Sequence, residues 1–219
     1  MTTRLPITGI YPILDADWLT PTAFSPAAIA SHLAQLPVSL VQLRAKGEDD
    51  AMAWEFMQLW MQALRTHAPT IRILLNDRLD WVEALGADGI HVGQEDASIA
   101  ACRAVLPPER LIGLSTHTLA EIRQAETWQV DYIGFGPIFP TTTKQDTHAV
   151  QGVERLRSMV AQTRLPMVAI GGIDLEHLGS VAETQVASAA LIRALWQGDW
   201  PQRLTSACRI WQERPAVCA

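Results

Sequence analysis

Side chains able to hold a polyphosphate recur just after short apolar runs. In Gln42-Leu43-Arg44-Ala45-Lys46 the three polar residues alternate, so an extended strand would set all three on one side. Asn76-Asp77 follows a second run, and His91, Gln94 and Asp96 lie in and after a third. Ser115-Thr116-His117 close a fourth. Thr141-Thr142-Thr143-Lys144, Gly171-Gly172 and Arg193 close three more. Arg44, Lys46 and Lys144 are cations, whereas Asp77 and Asp96 are carboxylates. Gathered at one mouth, the carboxylates could hold a hard divalent cation such as Mg2+. The metal would bridge phosphate oxygens, and lysine and arginine would neutralise the remaining charge. The same charges could instead form internal ion pairs.

Each piece alone has a plainer explanation. A Gln-x-Arg-x-Lys strand can be a solvated edge, and an Asn-Asp pair after a strand can be a turn or a helix cap. His91, inside an apolar run, reads as a hydrogen-bonded core histidine. Gly171-Gly172 could be a tight turn, or could let backbone amides approach a phosphate. The weight comes from the ensemble, because five strand ends carry ligand-type residues for one kind of substrate.

The apolar runs are Ile10–Leu14, Leu40–Leu43, Ile71–Leu75, Gly89–Val92, Leu111–Leu114, Tyr132–Phe139, Met167–Ile170 and Ala189–Ile192. Rich in Ile, Val and Leu and without polar alternation, they read as parallel strands buried on both faces. Between them lie segments of helical periodicity: Pro26–Leu36, Asp49–Arg65, Leu79–Leu85, Ile99–Leu106, Leu119–Trp128, Val153–Thr163, Leu175–Ala182 and Trp200–Trp211. This alternation predicts an α/β protein, a single-domain (β/α)8 (TIM) barrel over residues 1–219, with its active site at the C-terminal ends of the strands. A doubly wound open sheet is the competing layout. No GxGxxG follows the first run, and polar residues cluster after nearly every strand, so the ring is preferred.

The chain has 219 residues, 48 % of them hydrophobic and 18 % charged, which excludes intrinsic disorder. A net charge of −6 argues against a nucleic-acid or anionic-membrane partner. No window approaches the roughly 18 apolar residues of a membrane span. The first ten residues carry no signal-peptide pattern, and Cys102, Cys208 and Cys218 show neither paired nor zinc-type spacing. A cytoplasmic protein is expected. Its eight tryptophans read as outer-layer packing or as the interface of a homo-oligomer.

Taken in order, the motifs resemble those of the thiamine phosphate synthases. They are Gln42–Lys46, Asn76-Asp77, Gly89–Asp96, Ile112–His117, Gly136–Lys144 and Ala169–Ile173. The resemblance runs from about Tyr11 to Arg193 and implies a Mg2+-dependent (β/α)8 enzyme. Such an enzyme joins two small phosphorylated substrates, a hydroxymethylpyrimidine diphosphate and a thiazole monophosphate. It releases pyrophosphate by a dissociative substitution. Carried over residue by residue, it implies that Gln42, Arg44, Lys46, Asn76, Ser115 and Lys144 hold the pyrimidine diphosphate. Of these, Arg44, Lys46, Ser115 and Lys144 would act in catalysis. Asp77 and Asp96 would bind Mg2+, and Thr141, Thr143, Gly171, Gly172 and the loop after the last strand would contact the thiazole phosphate.

Two positions depart from the family pattern. Gln185 stands where glycine is expected and Arg193 where serine is expected. Two readings compete: the amides of Ile192 and Arg193 are retained and the arginine adds a charge contact, which is the expectation, or the thiazole phosphate site is weakened and the protein does something related. Three rival readings remain. A thiazole tautomerase would shuttle protons through a histidine such as His117. A non-catalytic barrel would only bind thiamine precursors. A sugar-phosphate isomerase would need a carboxylate base, for which Asp15 is the unassigned candidate.

Overall fold

The computed structural model describes residues 7–22, 24–47, 49–141 and 149–214. Eight parallel strands close into a barrel in sequence order: β1 (Gly9–Asp15), β2 (Leu40–Arg44), β3 (Arg72–Asn76), β4 (Gly89–Val92), β5 (Leu111–Thr116), β6 (Tyr132–Phe135), β7 (Met167–Ala169) and β8 (Ser188–Leu191). The ring closes where Gly9 of β1 pairs with Ser188 of β8. The strands are continuous in hydrophobicity because each is covered twice. Tyr11, Ile13, Leu40, Leu74, Leu111, Tyr132, Val168 and Ala190 fill the barrel. The alternate residues pack outward into a larger core against the helices.

Helices α1 (Ala16–Leu19), α2 (Pro26–Leu33), α3 (Asp50–His67), α4 (Val82–Leu85), α5 (Ile99–Val105), α6 (Leu119–Thr127), α7 (Gly152–Val160), α8 (Leu178–Ala182) and α9 (Trp200–Gln212) connect the strands. Several starts are fixed by local chemistry. Ser25, Asp49, Ser98, Thr118 and Asp199 each accept a backbone N–H of the first turn, an arrangement worth about 1 kcal/mol per cap. Trp60, Trp81, Trp196 and Trp211 are buried in the outer layer, and Trp54 stands edge-on to Trp81 with ring centres 5.2 Å apart. Packing therefore accounts for most of the tryptophans. Among the described residues no helix is long and apolar enough to cross a membrane.

Element boundaries differ from the sequence expectation where a side chain intervenes. The sixth run is a strand only to Phe135, because Pro137 has no N–H to continue the ladder. The segment Leu79–Leu85 divides into a 3-10 turn and one turn of α4, which ends at Gly86. Helix α8 begins at Leu178, after the Asp174 side chain has accepted the His177 N–H and closed a separate turn. Helix α1 was not expected at all. Asp15 creates it by accepting the N–H of Asp17 at 3.0 Å.

Candidate functional site

The candidate residues collect at the C-terminal ends of the strands in two groups. The first lies on β2, β3 and β4. Gln42 and Arg44 point into the barrel and are buried, with 3 % and 4 % of their surface exposed. Lys46, just past the strand, is more exposed, and its Nζ donates to Asp77 Oδ2 at 3.1 Å. Asp77 occupies the left-handed region at φ 62°, which aspartate tolerates better than most residues. Asp96 Oδ2 accepts the N–H of Gly93 at 2.8 Å, which folds the β4 loop back on itself. Burial and then the neighbouring Asp96 carboxylate push the Asp77 carboxyl above the usual range, against the opposing pull of Lys46. Two carboxylates are thus held side by side, with Lys46 partly offsetting them.

Arg44 does not stand open at the end of the strand. Its Nη1 lies 2.5 Å from Asp15 Oδ2, and Asp15 is fully buried. Of the internal ion pairs left open by the sequence, Lys46–Asp77 is formed, whereas Arg44 pairs intimately with Asp15, a partner the sequence did not suggest. Arg44 Nε is buried without a hydrogen-bond partner among the described residues, so the guanidinium retains donor capacity. Asn76 is buried at the end of β3, paired in register with His91.

The second group surrounds a cavity of about 360 Å³ at the ends of β5 to β8. Ser115, Thr141, Gly171, Gly172, Ile192 and Arg193, all expected at the site, line it together. Gly171 (φ 97°) and Gly172 (φ 66°) adopt a backbone open to glycine. A Cβ on Gly171 would come within 2.6 Å of Pro137, and one on Gly172 would meet the Pro140 carbonyl at 2.5 Å. The pair therefore locks the β6 and β7 loops together as well as flooring the cavity. Phe139 donates its N–H to the Gly171 carbonyl at 2.9 Å. Gln185 does hold the left-handed conformation, at φ 64°, that glycine would take at no steric cost. Thr143 and Lys144 lie outside the described residues.

Several participants were missed. Asp15 was weighed only as a possible base, although its alternation with Tyr11 and Ile13 could have placed it inside the barrel. Gln94, which the sequence did place after a strand, donates to the Ser115 carbonyl at 2.6 Å and steadies the rim. Arg203 of α9 lines the cavity with its Nε donating to the Ala194 carbonyl at 2.5 Å. Nothing in the local sequence of α9 signals this reach, because it depends on how the last helix packs. His91 is buried, as expected, with Nδ1 2.8 Å from Tyr132 Oη and Nε2 2.9 Å from Ser115 Oγ. His117 lines the cavity and donates from Nδ1 to the Gly136 carbonyl at 2.7 Å.

Comparison with known proteins identifies the family. The family model described as thiamine monophosphate synthase matches residues 10–195, nearly the whole barrel. The chain is 36 % identical over 197 residues to a thiamine-phosphate synthase of Koribacter versatilis, covering 89 % of this chain and 92 % of that one. It is 40 % identical over 158 residues to the same enzyme of Syntrophomonas wolfei, covering 72 % and 75 %. The solved structure of a thiamine phosphate pyrophosphorylase from Pyrococcus furiosus superposes with a TM-score of 0.81 at 27 % identity, covering 95 % of this chain and 97 % of that one. Sequence and fold converge from end to end of the barrel, and this chain belongs to the thiamine monophosphate synthase family, a transferase of thiamine biosynthesis with thiamine-phosphate synthase function.

Proposed function

We propose that the barrel joins a hydroxymethylpyrimidine diphosphate to a thiazole monophosphate, giving thiamine phosphate and pyrophosphate with Mg2+ assistance. The observation that carries this reading is the juxtaposed pair Asp77 and Asp96 beside Lys46. The donor set fits Mg2+. Among the described residues no cluster of three or more acidic, histidine or cysteine side chains forms a metal cage. One or two carboxylates, with the rest of the shell left to phosphate and water, is how Mg2+ is usually bound. Asp77 and Asp96 would hold the ion, which when bound supplies positive charge to the departing diphosphate.

The chain's own residues do the rest. Lys46, Arg44 through its remaining donors, Asn76, Gln42, Ser115 and Lys144 would receive the pyrimidine diphosphate. Thr141, Thr143, the glycine pair, Ile192 and Arg193 would receive the thiazole phosphate in the neighbouring cavity. Breaking the pyrimidine C–O bond sends its electron pair to pyrophosphate, and the thiazole nitrogen lone pair then captures the carbon. That nitrogen carries no proton, so no general base is needed. The demand is for donors where negative charge grows, and basic side chains at a rim supply it. Pyrophosphate release should require both substrates and Mg2+. Release that needs neither thiazole phosphate nor metal would refute the reading, as would a protein that binds both precursors without turnover.

A further inference from the structure

The interior of the barrel holds a continuous polar chain. Gln42 Nε2 donates to Tyr11 Oη at 3.0 Å, Tyr11 Oη lies 3.1 Å from Tyr132 Oη, Tyr132 Oη lies 2.8 Å from His91 Nδ1, and His91 Nε2 lies 2.9 Å from Ser115 Oγ. Two inward glycines make the room for it. A Cβ on Gly113 would sit 2.1 Å from the Tyr132 ring, and one on Gly134 would sit 3.2 Å from the His91 ring. Space on β5 and β6 is thus given up to these side chains in an otherwise apolar plug.

From this chain we infer that hydrogen bonding runs in one direction, outward from Gln42, and makes Ser115 a hydrogen-bond donor toward the cavity. The inference rests on the reading of Ser115 as a substrate-binding residue. Its logic is donor accounting. Both phenols are fully buried, and burial raises their pKa values, so each keeps its single proton. An amide N–H can only donate, so the Tyr11 oxygen accepts from Gln42 and its proton goes to Tyr132. The Tyr132 proton then goes to His91 Nδ1. A ring nitrogen that accepts carries no proton, so neutral His91 keeps its proton on Nε2 and donates to Ser115 Oγ. The Ser115 proton is the one the chain does not consume, and Ser115 lines the cavity. His91 is therefore not a base for Ser115. Successive bonds polarise one another, so the serine proton is made more acidic at the mouth. It suits an oxygen on which negative charge grows, such as that of a departing diphosphate. Tyr11, Tyr132 and His91 are positioning residues for this donor.

The test is the histidine tautomer, read by nitrogen NMR on protein labelled with 15N-histidine; the chain has six histidines. In the unmodified, ligand-free enzyme His91 should carry its proton on Nε2. A proton on Nδ1 overturns the proposal, because a reversed Gln42 amide would reverse every bond. The chain's two tyrosines are both members, so replacing tyrosine by 3-fluorotyrosine alters these hydroxyls alone. The more acidic phenol should move the His91 Nδ1 signal and leave the other histidines in place. No movement of His91 overturns the coupling. In Tyr132→Phe, His91 should lose its tautomer preference and kcat should fall about tenfold or more while KM for the thiazole phosphate holds. A changed tautomer with unchanged kcat overturns the role assigned to Ser115. The spectrum of the unmodified protein decides the direction even if that variant does not fold or if pyrophosphate release proves not to be the reaction.

Discussion

Arg44 Nη1 and Asp15 Oδ2 are 2.5 Å apart at the end of β1 and β2, with side-chain exposures of 5 % and 0 %. A pair this deep adds little net stability when intact, but losing Asp15 leaves the buried Arg44 with only the more distant and half-exposed Asp17 carboxylate, 3.7 Å from its Nη1. Asp15→Ala is therefore expected to cost about 3–5 kcal/mol, read as a shift of the urea midpoint. A midpoint that stays in place would mean the pair does not hold the barrel end together.

The same pair sets a pH dependence. Burial pushes the Asp15 carboxyl above the ordinary range and Arg44 opposes that push. In Arg44→Met the downward pull of the guanidinium is lost, leaving burial and the Asp17 charge opposed by the Asp17 N–H alone, so the native pKa rises further above its unfolded value of about 3.9. A group raised in this way contributes stability below its unfolded pKa and loses it as pH climbs through the native value. The difference in Tm between wild type and Arg44→Met should widen as pH is raised from about 4. A difference constant across that window would show that Asp15 is not the group responding.

Asp96 presents one oxygen to the Gly93 N–H and sits against Asp77. Asp96→Asn keeps an acceptor for that N–H while removing the charge, so the loop should hold and Mg2+ binding should weaken. The Mg2+ concentration for half-maximal pyrophosphate release is expected to rise about tenfold or more, with much of the rate recovered at excess metal. Unchanged activity at low Mg2+ would remove Asp96 from the metal site.

How far the sequence could be read depended on whether a feature was periodic or relational. The closed barrel was legible because buried parallel strands advertise themselves as unbroken apolar runs. The rim residues were legible because each follows such a run directly. Arg44 was read without Asp15 beside it because that partner lies on a different strand, and it is the parallel β1–β2 register, which pairs Asp15 with Arg44, that brings the two within contact. The chain from Gln42 to Ser115 was invisible for the same reason, since its members come from five strands. Arg203 was missed because α9 is an ordinary amphipathic helix whose docking decides which arginine reaches the cavity.

That reach leads to a prediction about substrate preference. Arg193 and Arg203 line the same cavity as Gly171 and Gly172, from the β8 loop and from α9. Arg203 is tethered through Nε to the Ala194 carbonyl, so its remaining N–H groups are oriented at little entropic cost. Arg193→Ala and Arg203→Met should each raise KM for the thiazole phosphate about tenfold, a loss of the size expected for a charged hydrogen bond, and leave KM for the pyrimidine diphosphate unchanged. Equal losses for both substrates would place these arginines elsewhere in the reaction.

Gln185 is the departure that should show up in stability and not in catalysis. It precedes β8 and holds φ at 64°, a conformation costing a residue with a Cβ about 1–2 kcal/mol. Glycine takes it without strain but loses more chain entropy on folding, which offsets part of the gain. Gln185→Gly is therefore expected to stabilise by about 1 kcal/mol or less and to raise Tm by at most about 2–4 °C, with both KM values unchanged. A fall in Tm would mean that the glutamine side chain contributes more than its backbone strain removes. A change in the thiazole phosphate KM would mean that the turn before β8 sets the position of Ile192 and Arg193, and that the substitution of glycine at this point has reshaped the phosphate end of the cavity.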